Sequence, residues 1–170
     1  MRHARTLWRS GLAVALLLFV VGCRGAPAPP TLFVLITVDT LRADYLGAYG
    51  SSRGLTPRLD ALAEESVVFA SAYSATSFTL PSVSAILTGR YPEELGIWVN
   101  ESAVPSSIPT LATVLREHGW RTGAVVSNFV LRASSGLAAG FDVYDDDLPQ
   151  REAVRPWPER TAGDTTEAFF

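Results

Sequence analysis

An α/β fold built on a parallel sheet is what this 170-residue sequence predicts. Three observations carry that expectation. Apolar runs of strand length, rich in branched residues, alternate with amphipathic stretches of helical period. Pro and Gly stand at the edges of those stretches, where helices start and stop. The first run, "LFVLITVDT" from Leu32, is apolar throughout before a polar end, the pattern of a strand buried on both faces of a parallel sheet.

Taken in order, that first strand delivers Asp39 to its carboxyl end, where open α/β sheets collect their ligands. Thr56 is placed to cap a helix whose first turn takes Pro57, and Leu59, Leu62 and Val67 follow near helical spacing. "VVFASAYS" is a candidate second strand. "PSVSAILTG" predicts a helix from Pro81, close behind Thr79 and ended by Gly89. "PTLATVLREHG" is an amphipathic helix closed by Gly119, and "RTGAVVS" returns as a strand. Strand, helix, strand, helix, strand is the order of a parallel sheet with helices on both faces. "YDDDLPQREAVRPWPER" reads as a polar loop and "TAGDTTEAFF" as the start of a helix.

Ahead of this region, Arg2, Arg5 and Arg9 precede the apolar run "GLAVALLLFVV", which predicts a signal peptide over residues 1–22. The run is shorter than the roughly 20 apolar residues of a membrane span. "VVGC" resembles a bacterial lipobox, which would make Cys23 an acylated N-terminus; an ordinary free cysteine is the alternative. Residues 23–31, Pro-rich, would tether the domain to the lipid membrane. The expected location is that of an exported, membrane-anchored bacterial lipoprotein on the periplasmic or cell-surface face.

Composition narrows the chemistry. With 48% hydrophobic residues and a net charge of −3, the chain is neither a disordered segment nor a basic nucleic-acid binder. All 14 basic residues are arginine, so an amine nucleophile or Schiff base is excluded. The single cysteine rules out an internal disulfide and a thiolate metal cluster.

The segments "LITVDTLRADYLGAYG", "TPRLDALAEESVVFASAYS", "TLPSVSAILTGRYP", "TLATVLREHGWRTGAVVS" and "GFDVYDD" follow one another in an order and spacing that resembles the N-terminal part of the sulfatase family, within the alkaline phosphatase superfamily. The resemblance implies an alkaline-phosphatase-like three-layer sandwich with a largely parallel sheet, of which residues 32–170 are the N-terminal portion. It also carries the expectation of a truncated domain, since family catalytic domains are much longer.

By that resemblance Asp39 matches the family's first metal-binding carboxylate; on spacing alone, a metal ligand and a turn cap are equal readings. Thr40 stands where typical members carry a second Asp. Thr79 falls on the nucleophile position, the family's Cys/Ser-x-Pro-x-Arg pattern reading Thr79, Leu80, Pro81, Ser82, Val83. A hydroxyl at a helix start faces amide donors that stabilise an anion. Threonine cannot form formylglycine, because its methyl group would make the oxidised product a ketone. An unmodified Thr79 activated by metal resembles instead the phosphodiesterases and phosphoethanolamine transferases of the superfamily. The resemblance implies a divalent ion on Asp39 and Thr79, with Ca2+ the family's usual choice and Mg2+, Mn2+ or Zn2+ as alternatives.

Ser82 is a candidate donor to the bound anion, or a helix-start residue. Asn128, in "VVSNF" where the family has Gly-Lys-Trp-His, is a candidate anion contact or a strand-end turn residue. Leu95 replaces a family histidine, while Asp44, Arg90, His118 and the run Asp145–Asp147 read as structural. The functional expectation is a sulfatase-like, metal-dependent hydrolase or transferase of sulfate or phosphate esters, inactive as an isolated 170-residue chain for lack of further ligands. The alternatives are a non-catalytic sulfatase-fold binding lipoprotein and a Thr-nucleophile phosphodiesterase or phosphotransferase.

Overall fold

The computed structural model describes residues 32–148; the predicted signal peptide, Cys23, the tether and the expected C-terminal helix lie outside them. The described residues fall in two units, divided between Val38 and Asp39. Within the first, residues 32–38 form no strand and are exposed, Ile36 by 78%. This corrects the expectation of a buried strand there. A parallel strand needs neighbours for its amides and carbonyls, and the sheet among the described residues has two strands, both from later in the chain. "VVFASAYS" likewise forms no strand and leaves Val67, Phe69 and Tyr73 exposed.

In the second unit, two 3₁₀ turns, Ala43–Tyr45 and Gly47–Tyr49, lead to helix α1, Pro57–Glu64. Thr56 occupies the N-cap position, but its hydroxyl donates to Asp60, 3.0 Å away, and accepts from Gly47 N–H at 3.1 Å. Ala48 N–H adds a bond to Asp60 Oδ1 at 2.9 Å, so the polar start of α1 holds the preceding turn in place of a helix amide. A side chain at Gly47 would collide with the Asp60 carboxylate, which explains the glycine.

Helix α2 runs Thr79–Thr88, beginning two residues earlier than Pro81 and ending at the left-handed Gly89. Pro81 is tolerated because first-turn amides have no partner within the helix. Helix α3, Pro92–Leu95, starts with Tyr91 N–H bonded to Glu94 Oε2 at 2.8 Å. Helix α4, Leu111–Glu117, is capped by Thr110, whose Oγ1 accepts from Thr113 N–H at 3.2 Å. His118 Nδ1 meets Val114 O at 2.8 Å, the helix-end role expected of it.

Strands β1, Gly123–Val125, and β2, Val143–Asp145, pair in parallel with Ala124 opposite Tyr144. The second strand corrects the reading of "YDDD" as loop: Tyr144 and Asp145 are in the ladder. Leu80, Leu95, Ile97, Val104 and Leu137 form the buried core, with Val83, Leu87, Leu131 and Tyr144 packed against it. Burying such side chains contributes about 1.5–3 kcal/mol each, so α2 is anchored mainly through Leu80 at its first turn.

Candidate functional site

Asp39 lies in a turn, Thr79 opens α2, and Asn128 stands three residues beyond the end of β1. These positions meet at one atom. Thr79 Oγ1 donates to Asp39 Oδ2 at 3.1 Å, and Asn128 Nδ2 donates to the same oxygen at 3.0 Å. The partners are 40 and 89 residues away from Asp39 in the chain, so only tertiary structure brings them together. Asp39 is exposed, while Thr79 and Asn128 are half-buried.

Beside Asp39, Thr40 has φ 57°, the one non-glycine residue with positive φ among the described residues. A β-branched residue in that region is strained by about 1–3 kcal/mol, and strain of this kind collects at functional sites.

The start of α2 is held from two sides. Leu80 is fully buried, and its N–H donates to Asn100 Oδ1 at 3.0 Å. Ser82 N–H bonds Phe78 O at 3.1 Å. With Pro81 lacking an N–H, the expected row of open amides behind Thr79 is largely occupied. Ser82 Oγ lies 2.7 Å from Ser74 Oγ, and Ser74 in turn donates its single proton to Thr76 O at 2.7 Å. Ser82 is therefore the donor in that pair, and its proton is directed to Ser74.

Three residues after Asp39, Arg42 is committed to an ion pair. Arg42 grips Asp44 with Nε at 2.9 Å and Nη2 at 2.7 Å, and these bonds hold the Asp44 carboxyl below the usual carboxylate range. On the other side, Tyr144 donates to Leu131 O at 2.5 Å, and burial pushes its hydroxyl well above the ordinary phenol range. It stays a protonated donor throughout the physiological range.

The donors at the site are oxygens, which suits a hard divalent cation. Asp39 Oδ2 and Thr79 Oγ1, 3.1 Å apart, have the spacing that neighbouring ligands of one calcium ion can take when each bond is about 2.3–2.6 Å. They fit one edge of a coordination shell. Among the described residues no group of three or more His, Cys, Asp or Glu adds to it.

A family profile described as Sulfatase matches residues 31–169. The chain belongs to the sulfatase family. It is 35% identical over 96 residues to an ulvan-active sulfatase of Formosa agariphila, covering 56% of this chain and 19% of that one. It is 34% identical over 130 residues to the N-acetylgalactosamine-6-sulfatase of Canis lupus familiaris, covering 69% and 24% respectively. A solved structure, of a protein in complex with its substrate D-glucosamine-2-N,6-O-disulfate, superposes with a TM-score of 0.53 at 26% identity, covering 60% of this chain and 20% of that one. The fold is thus alkaline-phosphatase-like, and this sulfatase chain is similar to its N-terminal part. It spans about a fifth to a quarter of the length of these curated relatives.

Within the sulfatase fold, the two apolar departures noted in the sequence have packing roles. Leu95 is buried in the core and Val83 packs against it. The sequence reading missed Asn100 and Tyr144. Asn100 acts across 20 residues and leaves no local signal. The alternation in "FDVYD" sets Phe141 and Val143 on its apolar face, whereas Val143 is exposed and Tyr144 packs against the core, so it carries no signal for Tyr144.

Proposed function

We propose that this chain carries the nucleophile-bearing part of a sulfate-ester hydrolase in which unmodified Thr79 attacks directly. The observation that supports this reading is the bond from Thr79 Oγ1 to Asp39 Oδ2, a nucleophile within reach of a proton acceptor. Thr79 Oγ forms a bond to sulfur while its proton passes to Asp39. The S–O bond to the alcohol breaks, and the departing oxygen takes a proton from solvent. Water then attacks the sulfur of the sulfothreonine and gives up a proton to solvent, the Oγ–S bond breaks, and Oγ takes back the proton held on Asp39 as sulfate leaves, restoring both side chains. A divalent ion, Ca2+ or Mg2+ on this oxygen donor set, would be held by Asp39 and Thr79 and supply neutralisation of the anionic ester. Phosphate esters have the same tetrahedral anionic shape and are the second substrate class. The sulfated amino sugar bound by the structural neighbour makes a sulfated carbohydrate the first probe. We further propose that Cys23 is lipidated and that the protein works from an exported membrane anchor.

A binding role without turnover is favoured by one observation: Val83 and Leu95 turn into the core where the resemblance places a cation and a histidine. The test expresses the natural gene in full and measures sulfate and phosphate ester hydrolysis with and without a chelator. Thr79→Ala should abolish turnover, and Asp39→Ala should lower kcat/KM about 10²–10⁴-fold. Turnover indifferent to Thr79→Ala would refute the nucleophile assignment, and binding of the sulfated sugar without hydrolysis would establish the second reading.

A further inference from the structure

Asn128 has both ends of its amide engaged. Its Oδ1 accepts from Val130 N–H at 3.2 Å, capping the 3₁₀ turn Phe129–Leu131, and its Nδ2 donates to Asp39 at 3.0 Å. Flipping the amide would set an NH2 group against Val130 N–H and an oxygen against a carboxylate, losing both bonds. The orientation follows from those partners. Asn128 therefore offers Asp39 a donor.

That turn and the next one, Ala133–Ser135, are held by β2 and the residue after it. Tyr144 donates to Leu131 O, and Ala133 N–H donates to Asp146 Oδ2 at 2.8 Å. Because β2 pairs with β1, and β1 leads directly into Asn128, the strand pair fixes where the amide stands. The sequence is one of mechanical support: sheet, turn, Asn128 and finally Asp39.

We propose that Asn128 is a positioning residue, orienting the Asp39 carboxylate toward Thr79, and that it does not itself contact the ester. This deepens the reading of Thr79 and Asp39 as reacting partners and rests on it for its kinetic consequence. Thr79 and Asn128 both donate to Oδ2, so the amide restrains rotation of the carboxylate and keeps that oxygen opposite the hydroxyl. A substrate contact would instead need Nδ2 directed at the anion.

The test labels the full natural protein with 15N-asparagine, and the Asn128 side-chain NH2 signals are assigned as the NMR pair lost in Asn128→Ala. One Asn128 proton should resonate downfield of a free amide and move back in Asp39→Ala and in the isosteric Asp39→Asn. An Asn128 signal unmoved in both variants would overturn the proposal, whatever the activity. In kinetics, Asn128→Ala should lower kcat at least ten-fold with KM within two-fold, and Asn128→Gln should recover part of the loss; a KM increase at unchanged kcat would make Asn128 a substrate contact and overturn the proposal. If Thr79→Ala leaves turnover unchanged while the amide signal still responds to Asp39, the nucleophile reading fails and the positioning of Asp39 stands.

Discussion

Replacing Asn100 separates two things that usually fail together, the stability of the α2 start and its ability to receive an anion. Asn100 Oδ1 accepts from Leu80 N–H at 3.0 Å in a half-buried setting, doing for this helix what an N-cap side chain does elsewhere. Asn100→Ala leaves that amide without its acceptor. Losses of this kind cost about 1 kcal/mol, which corresponds to roughly five-fold faster hydrogen exchange at Leu80. Asn100→Asp keeps an acceptor and adds negative charge at the positive end of the helix, worth about 0.3–1 kcal/mol in its favour. Leu80 exchange should then stay at the parent rate or slow. The same charge sits one residue from Thr79, and a repulsion of about 1.4 kcal/mol would raise KM for an anionic ester ten-fold. Exchange at the Leu80 amide and steady-state kinetics on the natural protein measure both. Equal exchange rates in the Ala and Asp variants would refute the assigned role of the Asn100 bond, and an unchanged KM in the Asp variant would refute anion binding at this helix start.

Gly140→Ala would bring a Cβ within 2.3 Å of Thr113 N at φ +91°, whereas Gly50→Ala, at φ +92°, meets nothing within 4 Å. Both variants carry a left-handed strain of about 1–2 kcal/mol, and Gly140→Ala should lose about 1–3 kcal/mol more in urea unfolding; equal losses would remove the close approach to α4. Asp142 accepts from Thr122 N–H at 2.9 Å, and that bond is the largest cause lowering its pKa from the ordinary 3.8. Its contribution is therefore fully present above that value and is lost as pH falls through the lower folded one. The urea midpoint should drop more steeply below about pH 4 in the parent than in Asp142→Asn, and parallel profiles would contradict this. Cys23→Ala should move the protein from the membrane fraction to the soluble fraction; continued membrane retention would count against lipidation.

Much of the local structure was legible in the sequence because its causes are local. Pro57, Gly89 and Gly119 mark helix edges through backbone restrictions that act within one turn. The segments carrying Asp39 and Thr79 announced the family for the same reason, since order and spacing are properties of the chain itself. The missed features depend on pairing. An apolar run such as "LFVLITV" has the composition of a buried strand, yet a strand exists only where another backbone answers its hydrogen bonds. Asp145 has the local composition of a solvated acidic run, and only the parallel register with Val125 places it in the sheet.

By itself, then, the sequence determined the sulfatase family and the hydroxyl at position 79, whose β-methyl would make its oxidised product a ketone, all consequences of which side chain stands where. Only the tertiary structure decided that Thr79 and Asn128 share one oxygen of Asp39, that Asn100 supports the helix start, and that the Ser82 proton points to Ser74. Those outcomes turn on distances of about 3 Å between residues 8 to 89 positions apart, which only folding sets.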